Sequence, residues 1–488
     1  QIQMASCQRL MTTTKMALWT KTTAKINVIG MKWSRCYFAT TLLHFQKGRA
    51  YHRSHEPLTP AMTGAAAANG NVKESVIRMM TRLATQYDAV NLSQGFPNEG
   101  PPWEIRLALA HAVLKGRAPE QHEMDEESMK KDLVDMILSD HSATDAGFDQ
   151  LNQYSPPMGR PDLREAISKY YQRFYNYDVS PDDITVTLGA TEAFASALRT
   201  IGRPGDKCVV IEPFHELYPN QCKIFYLEPT FVALRVCGDT WELDFDELEE
   251  ALRDAKMLML NSPHNPTGKV FTREELAKIV ALCLKYDVYI ITDEIYEHMI
   301  YNDTPHYLIP KEFPEIAHRT LVCNSLGKSA SATGWRLGWC LHPAHVRDTY
   351  RGIHDQMTVM SPHPMQFATM TYLNLPDSYF STLAEKYERR VKKLAAILTS
   401  VGFQVVMPQG AYYLMVDYTQ VAALKGMDSM EAAMYLLKEV GVACVPGGNF
   451  YGNTHSPDAG KYLRFAACRS DSDLEEAGRR FEKLTPKP

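Results

Sequence analysis

Several polar segments follow apolar or β-branched runs, and two of them carry side chains suited to chemistry on a bound ring. Lys328 lies among small residues in the segment SLGKSA at 325–330, where its amine could attack an aldehyde if its pKa were lowered. Asp293 ends the apolar run at 288–292, where a carboxylate could keep a ring nitrogen protonated. Each residue also has an ordinary interpretation, because a lysine is usually a solvated surface charge and an aspartate after a strand often caps a helix.

Further segments could hold polar or anionic groups. Asn265 lies in NSPHNPTG at 261–268, a composition that fixes a turn and could direct the amide into a cleft. Ala190 and Thr191 lie between a predicted strand and a predicted helix, where free backbone N–H groups can bind phosphate. Arg464, in YLRF, could bind a carboxylate through two parallel hydrogen bonds. A simple Asn-Pro turn, an ordinary strand–helix junction and a plain ion pair remain the alternatives.

These segments need a sheet that brings strand ends to one edge. Apolar runs alternate with amphipathic helical stretches, of which 272–286 is the clearest, with Thr272 and Glu275 spaced as a capping box. Alternation of this kind predicts an α/β fold with a mostly parallel sheet covered on both faces. Ligands of such sheets bind at the carboxyl ends of the strands. After residue 370 the pattern becomes mixed α+β, which predicts a second, smaller domain.

Composition excludes several classes of protein. The 488 residues carry 52 basic and 57 acidic side chains, a net charge of −5, which argues against an electrostatic grip on nucleic acid. The ten cysteines are scattered without a CxxC pair, so we expect no metal site of the zinc-ribbon type. No run of 18 apolar residues occurs, which argues against a membrane-spanning helix.

The first sixty residues differ from the rest. Positions 1–55 contain nine Lys and Arg, many hydroxyl residues and no acid, a composition typical of an organelle transit peptide, here mitochondrial. The alternative is a lead that is not translated, with Met62 as the start and a cytoplasmic product. We therefore expect residues 1–60 to be a presequence or untranslated lead, and 61–72 to be a linker.

Taken together, the motifs resemble one family. NSPHNPTGK, TDEIY and SLGKSASATGWRLGW occur in that order and look like those of class I and II pyridoxal-phosphate-dependent aminotransferases of fold type I. The segments ESVIRMMTRLA and NLSQGFP are similar to the kynurenine/glutamine/methionine branch. The resemblance implies a seven-stranded type of sheet in a large domain at 101–370, and a small domain built from 73–100 and 371–488.

The resemblance also implies roles around the cofactor, pyridoxal 5′-phosphate. Lys328 would bind its aldehyde covalently and move the substrate proton, and Asp293 would keep the ring nitrogen protonated. Tyr296 and Asn265 would bind the phenolic oxygen of the ring. The residues expected to hold the phosphate are Ala190, Thr191, Ser325 and Arg336.

Other implied roles concern the substrate and a partner subunit. His215 would stack on the ring, where relatives often have Phe, Tyr or Trp. Arg464, with Asn265 and the Gly95 backbone, would bind the substrate carboxylate. Tyr154 would reach the phosphate of a partner subunit, which implies a homodimer.

Two more departures from the family pattern stand out. Ser329 and Ala330 follow Lys328 where Thr-Phe is common. An acidic insertion occupies 117–147, and Met129, Leu133, Met136 and Ile137 fall at helical spacing in it, which predicts a short amphipathic helix. The insertion is either a solvated surface excursion or a lid that tunes substrate access.

The reaction we expect is transfer of an amino group from an L-amino acid to a 2-oxo acid by a ping-pong mechanism. The donor would be aromatic, kynurenine, glutamine or methionine-like. The alternative is a cysteine-S-conjugate β-lyase that uses the same lysine. A non-catalytic DNA-binding regulator is disfavoured, because the N-terminal segment shows no paired-helix pattern and Lys328, Asp293 and Arg464 are all present.

Overall fold

The computed structural model describes residues 74–116, 126–138, 149–454 and 456–485. All of them belong to one compact unit, 72–488. The predicted presequence 1–60 and linker 61–72 lie outside the described residues, as does most of the insertion. The division into domains at 73–100, 101–370 and 371–488 stays a prediction.

Helices cover both faces of the sheet and form much of the C-terminal part. The α-helices of the described residues are α1 (Val76–Gln86), α2 (Trp103–Lys115), α3 (Glu126–Leu138), α4 (Pro161–Tyr175), α5 (Gly189–Ile201), α6 (Leu217–Ile224), α7 (Phe245–Leu252), α8 (Arg273–Lys285), α9 (Ile309–Glu312), α10 (Arg347–Thr358), α11 (His363–Leu373), α12 (Asp377–Ser400), α13 (Ser429–Tyr435), α14 (Pro457–Lys461) and α15 (Asp471–Phe481).

Strands form two main sheets. The strands of the described residues are β1 (Val90–Asn91), β2 (Ile184–Thr187), β3 (Lys207–Glu212), β4 (Glu228–Cys237), β5 (Thr240–Leu243), β6 (Ala255–Asn261), β7 (Tyr289–Asp293), β8 (Thr320–Ser325), β9 (Gly338–Leu341), β10 (Gln404–Val405), β11 (Tyr413–Asp417), β12 (Val442–Ala443), β13 (Val445–Pro446) and β14 (Tyr462–Ala466).

The large sheet has the order β2-β9-β8-β7-β6-β3-β4-β5. Strands β8, β7, β6, β3 and β4 run parallel, whereas β9 is antiparallel to β8 and β2. The predicted α/β fold with a mostly parallel sheet is therefore confirmed. The predicted count of seven strands is one short, because a tight turn at Gly238, with φ +60°, lets β5 fold back onto β4 as an edge hairpin.

The C-terminal part forms a second, antiparallel sheet with the order β10-β11-β14-β13. Its strands pack against α12 and α15 in a core that includes Leu414, Phe465 and Phe481. The mixed α+β pattern predicted after residue 370 is confirmed. Strand β14 carries Arg464, so this sheet must lie close to the carboxyl edge of the large one for Arg464 to reach Asn265.

Local sequence signals account for two helices. The Thr272–Glu275 capping box is present in both directions at the start of α8, whose buried face includes Leu276 and Ile279, as predicted. The helix predicted in the insertion is α3.

Helix α3 lies against α2. Its buried residue is Met129, and Asp132 accepts a hydrogen bond from Lys115 at 2.7 Å. Ile137 is 66 % exposed and Leu138 is 78 % exposed, so the predicted place of Ile137 on the packed face is wrong, because the described residues do not cover the end of α3. Among the described residues, no helix is long and apolar enough to cross a bilayer.

Candidate active site

Asp293 ends β7 at the carboxyl edge of the large sheet. Its Oδ2 accepts the hydroxyl hydrogen of Tyr218 at 2.5 Å, and its Oδ1 accepts the Ile295 N–H at 3.3 Å. Burial raises the pKa of Asp293 to about 7, and the Tyr218 hydrogen bond opposes that rise. A cation placed against this carboxylate would therefore be strongly favoured, since it would replace lost hydration.

Lys328 follows β8, the strand next to β7. Its Nζ donates a hydrogen bond to the Gly95 carbonyl and lies 6.0 Å from the centre of the Tyr296 ring. Burial lowers the pKa of Lys328 to about 8, and the charge of Arg464 adds to that effect. Lys328 is thus not a solvated surface charge, and more of its amine is neutral near neutral pH than in an exposed lysine.

Arg464 is 1 % exposed and lies on β14. Its Nη1 donates to Asn265 Oδ1 at 3.0 Å, and its Nη2 donates to the Ser93 carbonyl at 2.9 Å. The guanidinium lies 4.4 Å from the Tyr413 ring centre and 4.9 Å from that of Phe450. No acidic side chain of the described residues forms an ion pair with it, so the buried charge can still bind an external carboxylate.

Asn265 and Tyr296 present polar atoms beside these groups. Asn265 is held by its backbone N–H, which donates to Asn261 Oδ1 at 2.7 Å. Its buried Nδ2 has no hydrogen-bond partner among the described residues, and an orphaned donor of this kind costs free energy unless a ligand accepts from it. The Tyr296 hydroxyl lies 2.9 Å from the Tyr413 hydroxyl. The phenolic oxygen of pyridoxal phosphate is an acceptor that fits this place.

The first turn of α5 and an arginine lie where they could hold an anion. Ala190 and Thr191 lie at the N-terminus of this 13-residue helix, where free N–H groups favour phosphate. The Arg336 guanidinium reaches Thr191 Oγ1 at 3.5 Å. Gly189 has a φ of +73°, and a Cβ on it would lie 2.7 Å from Arg336 Nη2, so glycine suits both the backbone conformation and this approach. Ser325 ends β8 at the same edge, opposite the start of β9.

His215 follows β3 and is a neutral ring. Its Nδ1 accepts the Leu217 N–H at 3.1 Å, which leaves the proton on Nε2. Burial lowers the pKa of His215 to about 3, and the charges of Arg464 and Lys328 add to that effect. A neutral imidazole can stack on a protonated ring without repelling it.

Tyr154 is the predicted site residue that stands apart. Its side chain is 79 % exposed, and its hydroxyl has no hydrogen-bond partner within the part of the chain that the structure describes. The other predicted residues are brought to the carboxyl edge of the sheet or to the facing strand β14, except Gly95, which lies in the segment after β1 and meets the site through its carbonyl, the acceptor for Lys328.

Sequence reasoning missed two residues of the site. Tyr218 bonds Asp293 and Tyr413 bonds Tyr296. Tyr218 follows His215 by three residues and lies in the first turn of α6, which is a weak signal for the first. For Tyr413, the sequence shows only that it follows another tyrosine, Tyr412, at the start of a predicted strand.

Comparison with known proteins decides the family. Residues 127–481 match the model of the family described as aminotransferase class I and II. The chain belongs to this family. It is 36 % identical over 358 residues to a probable kynurenine–oxoglutarate transaminase of Saccharomyces cerevisiae, which covers 68 % of this chain and 80 % of the relative. It is 30 % identical over 421 residues to kynurenine–oxoglutarate transaminase 3 of Bos taurus, covering 81 % and 85 %.

Solved structures agree with the sequence matches. N-succinyldiaminopimelate aminotransferase from Mycobacterium tuberculosis superposes with a TM-score of 0.74 at 30 % identity, covering 86 % of this chain and 98 % of the other. An Escherichia coli protein with a methionine aminotransferase function superposes with a TM-score of 0.73 at 27 % identity, covering 85 % and 98 %. The chain is therefore a fold type I aminotransferase of the kynurenine aminotransferase-like branch, a family that depends on pyridoxal phosphate.

Proposed function

We propose that this aminotransferase binds pyridoxal 5′-phosphate at the carboxyl edge of its large sheet and takes the amino group of an aromatic, kynurenine, glutamine or methionine-like L-amino acid. The observation that carries the proposal is the meeting of three groups: the amine of Lys328, the carboxyl of Asp293 and the guanidinium of Arg464, which has no acidic partner in the part of the chain that the structure describes. The charges of Asp293 and Arg464 both act on Lys328, so the three groups share one site.

The cofactor, when bound, supplies an electron sink that stabilises negative charge at the substrate Cα. The residues of the chain do the rest. Lys328 Nζ, neutral in part because its pKa is about 8, takes the proton from Cα and returns it to the cofactor side. Asp293 would hold the proton on the ring nitrogen, and the Tyr218 hydrogen bond favours the ionised form of that carboxyl.

Orientation of the substrate follows from Arg464. Its two Nη atoms can hold both oxygens of a carboxylate, while Asn265 Oδ1 fixes the guanidinium. Arg464 would thus hold the α-carboxylate that all amino acids share, and the substrate side chain would decide specificity. Several donors can therefore share the site.

We also propose a homodimer. Tyr154 is exposed, and so are the apolar residues Trp103, Val113 and Leu114 of α2, which supports a surface that a second copy covers. Light scattering of the purified protein tests the stoichiometry. A mixture of Lys328→Ala and Tyr154→Phe proteins that recovers activity above that of either alone would support shared sites, whereas additive activity would refute them.

The composition of residues 1–60 supports targeting to the mitochondrion. A reporter fused behind these residues should enter mitochondria, and one fused from Met62 onward should stay in the cytoplasm. A cytoplasmic reporter in both cases would refute the proposal.

A lid role for the insertion also stays a proposal, and unchanged kinetics across substrates after deletion of 119–146 would refute it.

The donor class is tested by steady-state assays with a panel of amino acids and 2-oxo acids. We expect parallel lines in double-reciprocal plots and the highest kcat/KM for one of the proposed donors. Release of pyruvate and ammonia from a cysteine conjugate without any 2-oxo acid, faster than any transamination, would make the chain a lyase instead.

A further inference from the structure

Tyr413 lies between the two halves of the site. Its hydroxyl is 2.9 Å from the Tyr296 hydroxyl, and the Arg464 guanidinium carbon lies 4.4 Å from the centre of its ring. The ring is buried at the start of β11. Gly95 leaves room for the Tyr413 hydroxyl, because a Cβ at Gly95 would fall 1.8 Å from the Tyr413 oxygen.

We propose that Tyr413 is a positioning residue that couples the carboxylate-binding Arg464 to the Tyr296 hydroxyl, and so tunes the hydrogen bond that Tyr296 gives to the cofactor ring. This inference rests on the proposed function, because the cofactor is the group that Tyr296 faces.

The direction of the Tyr413–Tyr296 hydrogen bond follows from counting protons. A tyrosine hydroxyl has one hydrogen to donate. If Tyr296 donates that hydrogen to the ring oxygen, its own oxygen can only accept from Tyr413. Hydrogen bonds in such a chain polarise one another, so a stronger donor at Tyr413 makes Tyr296 a stronger donor to the cofactor.

The charge on Arg464 sets the strength of that donor. A guanidinium over an aromatic face attracts its electrons, which makes the Tyr413 hydroxyl more acidic. A bound carboxylate neutralises Arg464 and removes this effect. Occupancy of the carboxylate site therefore reaches the ring oxygen by two routes, one through Asn265, which Arg464 bonds directly at 3.0 Å, and one through Tyr413.

Other ionisable groups near this pair must be considered in any pH titration. Tyr412 donates to the Gly95 carbonyl at 3.0 Å and is next to both rings. Besides Arg464, the charge of Asp293 acts on Tyr296 and that of Cys468 acts on Tyr413, while Tyr412 acts on both through hydrogen bonding. Lys328 lies over the Tyr296 ring. Tyr413→Phe keeps all of these side chains and removes only the hydroxyl, so the Tyr296→Phe background and a matched control are needed to assign a shift to that hydroxyl.

The test is a spectroscopic titration of Tyr413→Phe in the cofactor-loaded protein. The visible band of lysine-bound cofactor changes with protonation, and its midpoint pH is measured with and without saturating 3-phenylpropionate, an unreactive carboxylate. We expect the midpoint of the free variant to rise by about 0.4–1.1 pH units, the equivalent of one net hydrogen bond. The shift that 3-phenylpropionate causes should shrink. Tyr387→Phe is the matched control, because its buried ring packs 5.3 Å from that of Tyr412 without contacting Arg464.

Several outcomes separate the possibilities. In a Tyr296→Phe background, Tyr413→Phe should have no further effect. Wild-type titration behaviour in folded Tyr413→Phe would overturn the inference, and so would an equal shift in Tyr387→Phe. Absence of any visible band in the wild-type protein would refute the proposed function instead. If Tyr413→Phe does not fold, 3-fluorotyrosine placed at position 413, which keeps the ring and makes the hydroxyl more acidic, should move the midpoint downward, and no movement would again overturn the inference.

Discussion

Replacing Arg464 with alanine should weaken the reaction of every α-amino acid by a similar factor. The guanidinium is buried, held by Asn265 and the Ser93 carbonyl, and has no acidic partner among the described residues. Each charge-assisted hydrogen bond to a carboxylate contributes about 1.5–3 kcal/mol. Two such bonds, less what water restores in the variant, amount to about 3–4 kcal/mol, or roughly a 10²- to 10³-fold loss in kcat/KM.

The assay is kcat/KM for at least four amino acids with different side chains, and for a carboxylate-free amine. We expect the amino acids to lose activity in parallel and the amine to lose much less, so that the preference for carboxylates collapses. The kcat/KM of Arg464→Lys for amino acids should lie between those of the wild-type protein and Arg464→Ala, because lysine keeps the charge without the planar guanidinium.

Arg469→Ala is the matched control. Arg469 is also buried and also bonds a backbone carbonyl of the N-terminal segment, that of Asn91 at 2.8 Å, but it does not contact Asn265. Equal losses for the amine and the amino acids in Arg464→Ala, or the same pattern in Arg469→Ala, would refute the assignment of Arg464 to the carboxylate.

Three further predictions concern the cofactor side of the site. Lys328→Ala should abolish turnover and leave the thermal midpoint of unfolding unchanged or higher, because the ammonium is costly to bury; turnover near the wild-type rate would contradict this. Tyr218→Phe should raise the pKa of Asp293 by about 1–2 units, because a hydrogen bond to the carboxylate is lost. The affinity of the apoenzyme for the cofactor should therefore fall near neutral pH and recover at higher pH, which fluorescence quenching would measure. A pH-independent change in affinity would contradict it. His215→Phe should keep the shape of the pH–rate profile between about pH 5 and 9, the range around which an unperturbed histidine titrates. The reason is that the pKa of His215 is about 3. Loss of an inflection in that range would show that His215 titrates there.

Much of the architecture could be predicted because it depends on local signals. The Thr272–Glu275 capping box and the apolar spacing of α8 belong to adjacent turns of one helix, and both are present. Apolar runs alternating with helices indicated a parallel sheet, and a parallel sheet places strand ends at one edge. Asp293 and Lys328 could therefore be assigned to that edge before the order of the strands was known.

The remaining contacts depend on pairs that are distant along the chain. Tyr218 meets Asp293 because β3 and β7 are both neighbours of β6, an order that the sequence does not state. Tyr413 meets Tyr296 because β11, in the other sheet, approaches the turn after β7. Ile137 followed the helical period of α3, but period alone does not tell how far along a helix its neighbours cover the apolar face.

The most direct test of the central claim is a single half-reaction. The cofactor-loaded protein is mixed with one equivalent of a proposed donor amino acid in the absence of any 2-oxo acid, and its visible spectrum is recorded with the amount of 2-oxo acid released. The account predicts loss of the lysine-bound band, appearance of the amino form of the cofactor and one 2-oxo acid per cofactor converted. An unchanged band with every donor, or no bound chromophore at all, would contradict it.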